Sequence, residues 1–214
     1  KATEGRTVSI EKTVAVYSSL HDEGDVVEAA AAKIGRAFRF NTLAKKHSAA
    51  WHELWDKFDI EIDGDDFSQQ VLRLHTFHLL QTASQHTAAL DVSIPVRGLH
   101  GEAYRGHIFW DTMYIMPFYN LQLPEVSRSC LMYRYHRLPE ARKYAIENGY
   151  RGAMFPWQSG STGVEETQEL HLNPKSGKWG PDLSRRQRHV SLAIAYNVWD
   201  YWKKVGDRDF LIQH

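Results

Sequence analysis

The residues that could do chemistry crowd into one segment, RGLHGEAYRGHIFWDTMYIMPF, from Arg97 to Phe118. Arginines, histidines, a glutamate, an aspartate and several aromatics are joined there by Gly98, Gly101 and Gly106, with no hydrophobic period running through them. A packed core does not need that mixture. A sugar does, because its hydroxyls take paired hydrogen-bond partners and its C–H faces take an aromatic ring. Phe109-Trp110-Asp111 places an aromatic and a carboxylate side by side, and Pro156-Trp157-Gln158 repeats the pairing with an amide. Glycines next to both sites suit a close backbone approach. Two readings stay open on composition: a carbohydrate site, or Trp110 and Trp157 as core aromatics beneath loops.

Other chemistries lose their footing quickly. His100-Gly101-Glu102 could begin a zinc-deaminase signature, but the paired cysteines that complete it cannot exist in a chain whose one cysteine is Cys130. The same count excludes an internal disulfide and a cysteine zinc site. His75 and His78 lie three apart, yet no carboxylate stands at ligand spacing, so they read as hydrogen-bonded or solvated histidines and no metal site is expected. No phosphate-loop pattern and no G-x-S-x-G elbow is present. Lys and Arg number 26 against 26 Asp and Glu, interspersed along the 214 residues, which argues against nucleic acid as a partner. The basic run SRRQRH at 184–189 reads as a helix start with solvated arginines. No run of apolar residues is long enough to cross a membrane and no signal pattern opens the sequence, so a cytoplasmic setting is expected.

The elements that must position these residues are mostly helices. Alternation at Val8, Ile10, Val14 and Val16 predicts a strand over residues 7–17, after which VVEAAAAKIGRAFRF turns helical. A short helix with Trp51 and Trp55 follows, then the clearest helix, with Phe67, Val71, Leu74, Phe77, Leu80 and Ala83 on one stripe and Asp65 or Asp66 as its cap. Ile108 to Tyr119 predicts a helix that Pro117 should kink or break. Residues 124–149 read as two helices restarted at Pro139 and stopped at Gly149. The Gly/Pro/Ser-rich stretch 155–184 predicts a long excursion with a short hairpin. A last amphipathic helix carries Val190, Ile194, Val198 and Tyr201 and ends at Gly206, and Asp207 and Asp209 open one more. Abrupt ends suggest a domain fragment.

Three motifs in order, RGLHGEAYRGHIFWDT, NGYRGAMFPWQS and RHVSLAIAYNVWDYW, resemble the central domain of glycoside hydrolase family 65, whose members are inverting phosphorylases and hydrolases of α-glucosidic disaccharides such as maltose, trehalose and kojibiose. The resemblance implies a mainly α fold: residues 1–23 as the remnant of an N-terminal β-sandwich, 24–44 as a linker helix, and 45–214 as the first half of an (α/α)6 barrel. It also implies a mechanism in which one Glu acts as general acid while phosphate, or an activated water, inverts the anomeric carbon. Trp110 would lie against the glucosyl ring, Asp111 would accept from its hydroxyls, Arg105 and His107 would complete or buttress the pocket, and Trp157 and Gln158 would form a neighbouring wall. Two positions depart from the family pattern, Met113 and Gln158 standing where many relatives carry Glu. The general acid is expected downstream of His214, and Glu102, Glu165 and Glu166 do not match it. Glu102 reads as a structural partner of Arg97 or Arg105. Expected partners are a disaccharide or glucose and either a second copy or the remainder of the same polypeptide, with inorganic phosphate as co-substrate for a phosphorylase and no other cofactor. The competing hypothesis is a non-catalytic helical carbohydrate-binding or scaffold protein.

Overall fold

The computed structural model describes residues 4–21, 24–36, 39–98 and 103–214, which divide into two compact units at Asp59 and Ile60. His100 and Glu102, and the pairing expected of Glu102, lie outside the described residues. Among those residues the protein is mainly helical with one two-stranded antiparallel sheet.

In the first unit α1 (Val26–Gly35) begins where the Asp25 carboxylate accepts from the amides of Val27 and Glu28, at 2.8 and 3.2 Å. The second helix, α2 (Phe40–Phe58), runs unbroken through residues 44 and 45. The strand expected over 7–17 is not formed. A strand is stable only through a neighbour, and among the described residues this segment has none. Its apolar side is open, with Ile10 and Val16 exposed.

The second unit opens with α3 (Asp66–Thr82), capped by Asp65, whose carboxylate accepts from the Ser68 amide at 3.0 Å. Only the C-terminal half of its predicted stripe is covered: Leu80 and Ala83 are buried, whereas Phe67 and Leu74 are exposed. Next comes α4 (Thr112–Gln122), which carries Pro117 internally and is not broken by it. Proline removes one N–H and one helical bond, and burial of Met116, Tyr119 and Asn120 around it outweighs that loss. Prolines at the first turns of α5 (Pro124–His136) and α6 (Leu138–Glu147) cost no internal bond, and Gly149 at φ +78° takes the left-handed turn that ends α6. The hairpin of β1 (Leu170–Asn173) and β2 (Lys178–Pro181) pairs Leu170 with Pro181 and Asn173 with Lys178. Gly206 ends α7 (Val190–Val205), and Asp207 caps α8 (Arg208–Gln213).

The core lies where α4, α5 and α7 pack on one another, around Met116, Tyr119, Val126, Leu131, Val190 and Tyr201. Its polar joints hold α4 to α7: Asn120 Nδ2 donates to Asp200 at 2.9 Å, and Asn197 Nδ2 donates to Thr112 Oγ1 at 3.2 Å. The predicted stripe of α7 is on the inner side, with Val190 and Tyr201 buried and Ile194 against the core, and the polar residues Asn197 and Asp200 share that face. Val190, Ala193, Asn197, Asp200 and Tyr201 face inward, while Leu192, Tyr196 and Trp199 face out.

Candidate functional site

The two motif segments are brought side by side. Ile108 and Ser159 exchange backbone hydrogen bonds at 2.9 Å each way, and Ser159 bridges in turn to Glu165. Phe109-Trp110-Asp111 and Pro156-Trp157-Gln158 therefore flank one seam. Trp110 and Trp157 are each part-buried and pack with one side on the core cluster of Ala141, Phe155 and Val190. The reading of the two indoles as core aromatics therefore holds in part, since both lean on the core without being fully buried.

Asp111 stands at the first position of α4 but does not cap it. Its φ of −59° and ψ of −20° are already helical, and a capping side chain needs the extended region to reach back to the amides. No side chain among the described residues bonds its carboxylate. Burial holds that carboxyl above the usual carboxylate range, opposed only by its own backbone amide. Asp111 is thus a half-buried acceptor whose carboxylate has no side-chain donor among the described residues.

Arg105 and His107 act as ties. The guanidinium of Arg105 donates to the Glu166 carbonyl at 3.2 Å, and the His107 ring bonds the Tyr104 carbonyl at 2.9 Å while its other edge lies against Gly160. Tyr104 and Arg105 hold left-handed backbone at φ +56° and +53°, a strained turn for two non-glycine residues. Gln158 is buried.

Several residues of the site were not visible in the sequence. His189, read there as part of a helix start and of the third motif but given no role in the site, packs its ring edge-on to Trp110 and Trp157 at centroid distances of 4.4 and 5.4 Å. Glu165 organises the second segment: its carboxylate accepts from the amides of Trp157 at 2.8 Å, Gln158 at 3.2 Å and Thr167 at 3.1 Å, and from the Thr167 hydroxyl at 2.6 Å. Tyr133, Arg134 and Arg137, on and just after α5, hold both segments from beneath. Arg134 donates to the Phe109 carbonyl at 2.6 Å, Tyr133 donates to the Gly160 carbonyl at 2.6 Å, and Arg137 donates to the Ser161 carbonyl at 2.7 Å. A general signal did exist, since arginines on the apolar face of a helix rarely stay buried without a task.

Among the described residues no helix is long and apolar enough to cross a membrane, and no group of three or more His, Cys, Asp or Glu could hold a metal.

Comparison with known proteins identifies the family. The sequence pattern of the glycosyl hydrolase family 65 central catalytic domain matches residues 73–214, and that of the family's N-terminal domain matches residues 1–54. An uncharacterised glycosyl hydrolase of Mycobacterium tuberculosis is 48% identical over 210 residues, covering 97% of this chain and 16% of that protein. A trehalose 6-phosphate phosphorylase of Lactococcus lactis is 41% identical over 97% of the chain and 27% of its own length. A kojibiose phosphorylase of Halothermothrix orenii is 38% identical over 99% and 28%. Among solved structures, a putative kojibiose phosphorylase from human microbiome superposes with a TM-score of 0.71 at 30% identity, over 86% of this chain and 26% of that one. The chain thus spans roughly a quarter of the phosphorylases it matches and about a sixth of the mycobacterial protein.

Proposed function

The chain belongs to glycosyl hydrolase family 65, and from that membership we propose that it supplies the glucosyl-binding side of an enzyme acting on an α-glucosidic disaccharide, within the first half of an (α/α)6 barrel. The carrying observation is Asp111. A carboxylate held half-buried with only its own backbone amide against it, and no side-chain donor among the described residues, carries a desolvation cost that is compensated in part, and two hydroxyls of a bound sugar would offset the rest. Trp110 supplies the face against which the ring lies. Trp157 and Gln158 form the adjoining wall, with the buried Gln158 amide offering both a donor and an acceptor to hydroxyls. Arg105 and His107 buttress the seam between the segments.

The reaction in this reading is an inverting transfer, with inorganic phosphate as the nucleophile and co-substrate. The phosphorylase relatives support phosphate, and a kojibiose hydrolase of Flavobacterium johnsoniae, 35% identical over 99% of the chain, supports water as the alternative nucleophile. The general acid belongs to polypeptide outside residues 1–214. The Glu165 carboxylate is taken up by the amides of its own loop.

The deciding experiment incubates the whole protein with kojibiose, trehalose, trehalose 6-phosphate and maltose, with and without phosphate. Phosphate-dependent appearance of β-glucose 1-phosphate is expected. Glucose release independent of phosphate would make it a hydrolase, and no turnover of any α-glucoside would sink the enzymatic reading in favour of a binding module.

A further inference from the structure

Two buried arginines sit three residues apart and are treated very differently. Arg137 is fully served: Nη1 reaches the Asp91 carboxylate and the Tyr133 carbonyl, both at 2.9 Å, Nη2 reaches the Ser161 carbonyl, and the guanidinium lies 3.7 Å over the Tyr133 ring. Such an arginine is explained by the fold it holds. Arg134 is only 4% exposed, yet no carboxylate accompanies it among the described residues. One nitrogen, Nη2, donates to the Phe109 carbonyl, and Nη1 is buried without a partner. Burial pulls its pKa down to about 10, and the neighbouring Arg137 charge pulls the same way.

A buried cation without a counter-ion is an expensive way to fill space. An apolar side chain of similar volume would fill it more favourably, because the penalty for desolvating an ion is repaid only by a well-formed pair. The guanidinium also lies 5.5 Å from the Tyr133 ring, but among the described residues the hydrogen bond it makes, which Met or Leu could not, is the one that holds the Phe109 carbonyl. That carbonyl begins the peptide that enters Trp110, and Asp111 follows.

We propose that Arg134 is a positioning residue of the glucosyl subsite: by gripping the Phe109 carbonyl from α5 it sets the path of the peptide that aims Trp110 and Asp111. The inference rests on reading Trp110 and Asp111 as that subsite. The first hydrogen-bonded turn into α4 starts at the Trp110 carbonyl, which accepts from the Met113 amide at 2.9 Å, so the helix fixes the far side of Trp110 and leaves the Phe109 carbonyl to Arg134. On the other side, Ile108 is tied to Ser159. Arg134 therefore closes a gap between two fixed points.

The test compares Arg134→Met, which keeps bulk and removes the donors, with Arg134→Lys, which keeps one charged donor on a shorter reach. Hydrogen exchange is read peptide by peptide, and glucosyl transfer is measured on the whole protein. In Arg134→Met, exchange should rise at residues 108–113 and stay unchanged at 157–167, and kcat/KM should fall roughly 10- to 100-fold, with Arg134→Lys between it and wild type. Uniform loosening of both segments, or unchanged exchange at 108–113, overturns the proposal. Should Arg134→Met fail to fold, Arg134→Lys decides by the same comparison of segments. A wild-type protein that transfers no glucosyl group defeats the functional reading alone, since the exchange pattern still judges the grip on Phe109.

Discussion

Asp111 occupies a helix start like Asp25, Asp65 and Asp207, yet those three cap the amides of the turn that follows and Asp111 does not. The difference makes a two-sided prediction. For a carboxyl raised by burial, the native state holds the proton more tightly than the unfolded chain. Its contribution to stability is therefore present at low pH and is lost as pH rises through the folded pKa. Asp111→Asn should melt no lower than wild type at neutral pH, and its advantage should vanish as pH falls through the carboxylate range. Sugar turnover in the whole protein should drop by about 10- to 100-fold for the lost charged acceptor. A variant that loses both stability and turnover would show that Asp111 is structural. Glu165 makes the opposite case. Glu165→Ala strips the acceptor from the amides of Trp157, Gln158 and Thr167, and should cost on the order of 2–4 kcal/mol in urea unfolding while weakening sugar binding through a loosened wall. Unchanged stability would mean that water replaces the carboxylate without loss.

At the scale of elements, the second motif depends on a close fit between the 159–163 loop and the start of α6. Gly163 has φ +83°, and a Cβ there would lie 2.8 Å from both Cβ and Cγ of Arg137. The Arg137 stem cannot give way, since its head is held by Asp91, Tyr133, Gly160 and Ser161. Gly163→Ala is thus expected to cost about 2–4 kcal/mol, the left-handed strain and the overlap together. Gly152→Ala, at φ +89° but facing open space, should cost only about 1 kcal/mol. Equal losses in chemical denaturation would remove the clash from the account. The same contrast marks what the sequence could show. Caps, helix-starting prolines and the hairpin were legible because each is a local signal at Asp65, Pro124, Pro139 or the Gly-rich turn. Trp110, Asp111, Trp157 and Gln158 were picked out by residue type and resemblance. What joined them, Arg134, Arg137 and Glu165, was not legible, because those contacts bridge segments far apart in the chain. The strand at 7–17 failed for a related reason, since alternation says that a segment can pair and not that a partner is present.

At the scale of the molecule the helix α7 has two apolar faces, and hydrophobicity alone does not say which is inside. Val190, Ala193 and Tyr201 are buried together with Asn197 and Asp200, whose bonds to Thr112 and Asn120 fix the choice of face. The opposite face presents Leu192, Tyr196 and Trp199 at spacings of four and three, 74%, 44% and 52% exposed, with the Tyr196 and Trp199 rings 5.7 Å apart. Scattered single apolar residues on a surface mean little, but a contiguous aromatic stripe on one helix is more than a monomer ordinarily leaves in water. In the matched solved phosphorylase the region equivalent to this chain is 26% of a larger polypeptide, so further protein is the natural cover for such a face in the whole molecule. The 214-residue chain taken by itself is therefore expected to associate through this face. Sedimentation velocity should show a weight-average mass that climbs with concentration. Leu192→Lys combined with Trp199→Lys should hold the mass at that of one chain without lowering the melting temperature, because neither side chain contributes to the core. A wild-type chain that stays monomeric across that range, or a double variant that associates as before, would remove α7 as the sticky surface.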